Sequence, residues 1–164
     1  SLKVPLDEEI DYVREYMMIQ RLRFEETVQL RIQVPDSLRQ RRILKFVLQP
    51  LVENAVQHGR RDDDASVLTV TLDGREEEGG VVLHVRDDGV GMTGATVRRV
   101  RALLADGASE SGDHEYRAPE GKLGLVNIHR RLGLYYGPRA GLRVDSTAGA
   151  GTTVELHVPV EDAE

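Results

Sequence analysis

Residues 81–92 read VVLHVRDDGVGM, and the reading of this stretch decides the fold. As a strand its period of two places Val81, Leu83, Val85 and Asp87 on one face. If the three apolar residues turn toward a helix layer, the carboxylate closes a buried row, where a charge without hydrogen-bond donors is costly. If the strand stops one residue earlier, Asp87 opens a solvated turn, and the row alone does not choose between the two. Gly89 and Gly91, spaced by one residue, let the backbone turn tightly and approach a flat ligand. A lone GxG is usually an ordinary turn. After an aspartate that ends an apolar row, it becomes a candidate floor for a base-binding pocket.

Upstream, VLTVTL (67–72) is a second strand, joined to the first by the acidic, Gly-rich connection DGREEEGG (73–80). VQLRIQV (28–34) alternates strictly and stops at Pro35, which marks a half-buried strand. Residues 6–24 carry Leu6, Ile10, Val13, Met17 and Phe24 at helical spacing, with Asp7, Glu8 and Glu9 in the first turn, where carboxylates suit the helix dipole. The spacing predicts a second helix from Arg41 to His58, kinked at Pro50.

Downstream, a helix is expected over 93–105 and another over 123–136, the latter with Leu125, Ile128, Leu132 and Tyr135 on one stripe. Between them, residues 106–120 are polar and nearly patternless. LRVDS (142–146) and TTVELHV (152–158) form a closing strand pair around AGAG. Most strand connections are hairpin-like and no regular βαβ alternation occurs. The expected fold is therefore α/β of the α+β kind: a two-layer sandwich with a mixed, mainly antiparallel sheet and helices on one face.

At 164 residues, with 40% hydrophobic and 30% charged residues, the chain has the composition of one soluble domain with a real core. A net charge of −6 argues against general affinity for nucleic acid or an anionic membrane, so neither is expected as a partner. The absence of cysteine excludes disulfides and thiolate metal sites, and a reducing cytoplasm is the natural location. No stretch is apolar enough for a membrane span. The chain opens at Ser1 without a methionine and reads as a piece of something longer.

Three further stretches carry chemistry. In LVENAVQHG (51–59), Glu53, Asn54, Gln57 and His58 fall on one arc of about 140° of a helical wheel. Leu51, Val52, Ala55 and Val56 fill the opposite arc, as in any amphipathic surface helix. EGKLGL (120–125) precedes a helix, where backbone amides point toward an anion and Lys122 adds a charge. AGAGTTV (148–154) is a Gly-rich turn leading into a strand.

In this order, ENxxxH on a helix, DxGxG after a strand, a glycine loop entering a helix and GxGT before a last strand resemble the four boxes of the Bergerat-fold ATPase superfamily. Gyrase-type topoisomerases, heat-shock chaperone ATPases, histidine kinases and mismatch-repair ATPases share that fold. The N-terminal VPLDEEIDYVREYMMIQRLRF, then LQPLVENAVQHG and GLVNIHRRLGLYYG, resemble the LytS-type sensor histidine kinases of bacteria.

The resemblance implies a catalytic domain that binds ATP with Mg2+ and transfers the γ-phosphoryl group to a histidine outside these residues. It implies residues 1–26 as a linker helix from a dimerisation and phosphoacceptor segment, 27–160 as the ATP-binding domain, and 161–164 as a tail. Asp87 would accept from the adenine amino group, with Gly89, Gly91 and Met92 shaping the pocket. Asn54 would bind the metal, beside Gln57 and His58, and Glu53 would orient or deprotonate the attacking group. Gly121, Lys122, Leu123, Gly124 and Leu125 would line the triphosphate, Thr152 would support the base end, and residues 106–120 would form a lid. A response regulator and a homodimer of the full-length kinase are the implied partners.

Gln57, Asp88 and Lys122 depart from the family pattern, which bears on nucleotide affinity. An anti-sigma-factor-type serine kinase and a non-catalytic partner-binding module are the alternatives. Of the five histidines, none has the expected phosphoacceptor context: His58 is on the metal helix, His84 and His157 alternate outward on strands, His114 lies in the lid segment, and His129 is on the polar side of its helix.

Overall fold

The computed structural model describes residues 2–61, 66–106 and 123–159. In chain order these form β1 (Lys3–Pro5), α1 (Leu6–Arg23), β2 (Val28–Gln33), α2 (Asp36–Arg39), β3 (Arg42–Leu44), α3 (Leu48–Gly59), β4 (Leu68–Glu77), β5 (Gly80–Asp87), α4 (Gly94–Asp106), α5 (Leu123–Tyr136), β6 (Gly141–Thr147) and β7 (Gly151–Pro159). Five strands make the main sheet in the order β2-β4-β5-β7-β6, and β1 pairs with β3 apart from it. Only β2–β4 is parallel within the main sheet; its other three pairings are antiparallel. The expected two-layer, mainly antiparallel architecture is the one observed.

The inner sheet face is apolar for the reason its alternation gives. Val70 and Leu72 of β4, Leu83 and Val85 of β5, Leu142 and Val144 of β6, and Val154 and Leu156 of β7 are all buried. They meet Leu51, Val52 and Val56 of α3, Val97, Val100 and Leu104 of α4, and Leu125, Ile128 and Leu132 of α5 in one core. Each fully buried leucine contributes about 1.5–3 kcal/mol relative to exposure. The stripe Leu6, Ile10, Val13 and Met17 of α1 joins the same core.

Several expectations are corrected. The helix predicted from Arg41 begins at Leu48, because Arg42–Leu44 extend to pair with Lys3–Pro5. Pro50 then sits in the first turn of α3, where its missing N–H has no helical partner to lose, and no kink is needed. DGREEEGG is mostly strand: the β4–β5 ladder runs on to Glu77 and Gly80, leaving a two-residue turn. Tyr135 is exposed, off the α5 stripe, while the hydroxyl of Tyr136 accepts from the Leu44 amide at 2.9 Å.

On the outer face His84 points away from the helices, yet it is only 5% exposed. Its Nδ1 lies 2.7 Å from Asp73 Oδ1 and its Nε2 3.1 Å from Glu155 Oε2, one carboxylate on each neighbouring strand. Arg86 donates to the other oxygen of Asp73 at 2.7 Å, and His157 contacts the other oxygen of Glu155. His129 is half-buried rather than solvated: its Nδ1 accepts from the Leu142 amide at 2.9 Å, at the outer edge of β6. On that edge Arg101 also donates to the Val144 carbonyl at 3.0 Å.

Candidate functional site

Helix α3 supplies the first wall. Val47, which precedes it, has no capping side chain. The cap comes from α1, where Glu9 is 1% exposed and accepts from the amides of Phe46, Val47 and Leu48 at 3.0, 2.8 and 3.2 Å. Expected to serve the dipole of its own helix, Glu9 instead serves that of α3. Along α3 the polar arc divides. Glu53 faces α1: it accepts from Gln49 at 3.0 Å, and burial together with the Glu53 charge pushes the Tyr16 phenol up to about 12. Gln57 is exposed. Asn54 is 8% exposed, and its Oδ1 is buried with no hydrogen-bond partner among the described residues.

The end of β5 supplies the floor. Asp87 pairs across the sheet with Val70 and Thr152, so the strand does run to it, and its side chain is half-buried rather than fully solvated. Its Oδ1 accepts from the Gly89 amide at 2.9 Å. Gly89 presses on α3 so closely that a Cβ there would stand 2.0 Å from the Gly59 carbonyl oxygen. Gly91 has φ of +67°, and a Cβ there would meet the Thr147 carbonyl oxygen at 2.0 Å. Neither position accepts a larger residue without rearrangement. Asp88 turns away from the pocket and accepts from the Thr69 amide at 2.8 Å, so its charge serves the β4–β5 end.

The β6–β7 turn closes the third side. The Ser146 hydroxyl accepts from the Met92 amide at 2.8 Å, donates to the Gly151 carbonyl at 2.9 Å and lies 2.7 Å from the Thr152 hydroxyl. Arg61 donates to the carbonyls of Gly89 and Gly149 at 3.2 and 2.8 Å, tying the β5–α4 loop to this turn. Arg60 stacks on Phe24, its guanidinium 3.7 Å from the ring centroid.

Asn54, Ala55, His58, Gly59, Asp87, Gly91, Met92 and Thr152 thus line one narrow cavity of about 30 Å³. Six of them were expected from the sequence, drawn from three of the four motifs. Gly89, Glu53 and Gln57 lie outside its lining. Leu123 and Gly124 open α5, and Leu125 is fully buried in the core. Gly121, Lys122 and residues 107–120 of the predicted lid lie outside the described residues. Ser146 was not anticipated, since a lone serine next to a turn carries no motif.

A family model described as histidine kinase-, DNA gyrase B- and HSP90-like ATPase matches residues 39–162. A sensor-like histidine kinase of Staphylococcus epidermidis is 33% identical over 160 residues, 98% of this chain and 29% of the relative. The sensor protein kinase HptS of Staphylococcus aureus is 32% identical over 162 residues, again 98% of this chain and 29% of the relative. The chain therefore spans less than a third of these relatives. Among solved structures, the catalytic domain of histidine kinase ThkA superposes with a TM-score of 0.68 at 13% identity, covering 96% of this chain and 94% of that one. The mycobacterial sensor histidine kinase MprB superposes with a TM-score of 0.63 at 17% identity, covering 96% and 95%.

Proposed function

Because the chain belongs to the histidine kinase-, DNA gyrase B- and HSP90-like ATPase family, we infer that it is the ATP-binding catalytic module of a LytS-like sensor histidine kinase. Its reaction is transfer of the ATP γ-phosphoryl group to a histidine outside these 164 residues. The observation that carries the reading is the convergence of Asp87, Gly91, Thr152, His58 and Asn54 on one cleft, with the Asn54 Oδ1 buried and unpartnered among the described residues. A buried acceptor without a donor is rare in folded proteins and calls for a ligand.

Asp87 and Thr152, paired across β5 and β7, form the base end, where the Asp87 carboxylate accepts from an exocyclic amine. Asn54 and His58 form the phosphate end. An amide oxygen suits Mg2+, a hard cation that takes oxygen ligands and bridges phosphates, so the residues present fit the metal. When bound, the metal neutralises charge on the transferring phosphoryl group. We assign Glu53, which accepts from Gln49 on the adjacent α1-facing side of the helix, the role of orienting or deprotonating the attacking imidazole. The phosphoacceptor segment, its homodimer, a response regulator and a cytoplasmic setting complete the proposal.

Calorimetry with a non-hydrolysable ATP analogue, with and without Mg2+, tests it. Binding is expected, and Asn54→Ala should weaken the magnesium-loaded complex by about tenfold while changing the metal-free one much less. Failure of the folded wild-type chain to bind adenine nucleotide overturns the reading, and an equal loss in both conditions removes the metal role of Asn54.

A further inference from the structure

A second polar junction lies away from the cleft, at residues 44–48 between β3 and α3. From one side the buried Glu9 carboxylate takes the amides of Phe46, Val47 and Leu48. From the other, Arg131 of α5 donates to the carbonyls of Phe46 and Lys45 at 3.0 and 2.8 Å, while Tyr136 takes the Leu44 amide. Phe46 between them has φ of +62°, a left-handed conformation that a bulky residue keeps only when its surroundings hold it. Six backbone groups in five residues are thus taken by side chains of two helices.

We propose that Glu9 and Arg131 are positioning residues for the nucleotide cleft, an inference that rests on the reading above. Together they fix where α3 begins relative to α1 and α5. The six helical steps from Leu48 to Asn54 rise about 9 Å, so a tilt of about 10° at the junction displaces Asn54 by about 1.5 Å. A misplacement of about 1 Å at a reacting site can cost up to a hundredfold. No local side chain caps α3, so its orientation is delegated to α1 and α5.

The test uses Glu9→Gln, which keeps shape but sets an amide donor against a backbone donor, and Arg131→Gln at the partly buried other side. Each variant is read in two ways: amide hydrogen exchange without ligand, and affinity for a non-hydrolysable ATP analogue with and without Mg2+. Both variants should retain wild-type protection in the sheet. Exchange over 48–58 should quicken, and magnesium-dependent affinity should fall about tenfold, with a smaller loss without metal. The double variant should be little worse than either single one, since both act on one junction.

Wild-type exchange in α3 with wild-type affinity overturns the proposal. So does a loss of affinity that is equal with and without Mg2+, which marks a merely structural role. If the wild-type chain binds no nucleotide, the cleft reading fails, and the junction is judged on exchange alone: faster exchange confined to α3 and α5 supports it, and unchanged exchange overturns it. Should Glu9→Gln not fold, Arg131→Gln decides.

Discussion

Asp87 is where sequence and chemistry meet most directly. One carboxylate oxygen is spent on the Gly89 amide, which shapes the loop, and the side chain's proposed second duty is to accept from the base. Asp87→Asn separates these duties. The amide oxygen still accepts from Gly89, so the domain should melt within a few degrees of wild type. The base end then presents a donor where an acceptor is required, and loss of a hydrogen bond to a charged group, about 1.5–3 kcal/mol, should weaken adenine nucleotide at least tenfold. Calorimetry beside a thermal melt checks both halves; unchanged affinity in the folded variant would falsify the adenine assignment. Asp88 teaches the opposite lesson. A charge that looked adverse to a nucleotide is engaged by the Thr69 amide, and nothing in the sequence announces which neighbouring aspartate turns inward.

At the scale of elements, the outer-face row Asp73–His84–Glu155 makes a testable device. Burial pushes the Asp73 and Glu155 carboxyls up, but Arg86 and His84 pull Asp73 down further, and His157 and His84 do the same for Glu155. Both sit below the ordinary carboxylate range, so they stabilise the fold above their unfolded pKa and lose that contribution as pH falls through their folded values. Asp73→Asn should cost about 1–2 kcal/mol near neutrality and flatten the acid limb below about pH 4. Urea titrations from pH 3 to 7 measure both effects, and an unchanged acid limb would exclude Asp73 as a contributor. The strands around this row were legible because their period of two is unbroken and their turns are rich in glycine. What was not legible came from long-range partners. β1 and β3 are three-residue strands that exist only through each other, and Glu9 caps a helix that starts 39 residues later. His84 was rightly placed on the outer face, but flanking carboxylates bury it, and no local pattern encodes cross-strand register.

For the whole molecule, the positions of the histidines decide what this chain does without a partner segment. His84 is buried between carboxylates, His129 accepts from a backbone amide, His157 is engaged by Glu155 and His58 lines the cleft; His114 lies outside the described residues. Incubation of these 164 residues with radiolabelled ATP and Mg2+ should leave no acid-labile phosphate on the protein. Supplying the phosphoacceptor segment of a relative, covalently or in trans, should yield it by raising effective concentration. Label on the chain alone would mean that one of these histidines is the acceptor. The rim of the sheet carries a different consequence. The last strand of an open sheet can recruit a second molecule, and here Arg101 and His129 already occupy two of the backbone groups that recruitment needs. Burial holds the His129 imidazole below its usual pKa, so Nδ1 stays an acceptor at neutral pH. Acidification through that lowered pKa protonates it, turns acceptor into donor, and sets it against the Leu142 amide. Light scattering should then rise on acidification, and more steeply in Arg101→Ala. The expectation is that the imidazole guards this edge against polymerisation, and an acid-stable monomer at high concentration would show that it guards nothing.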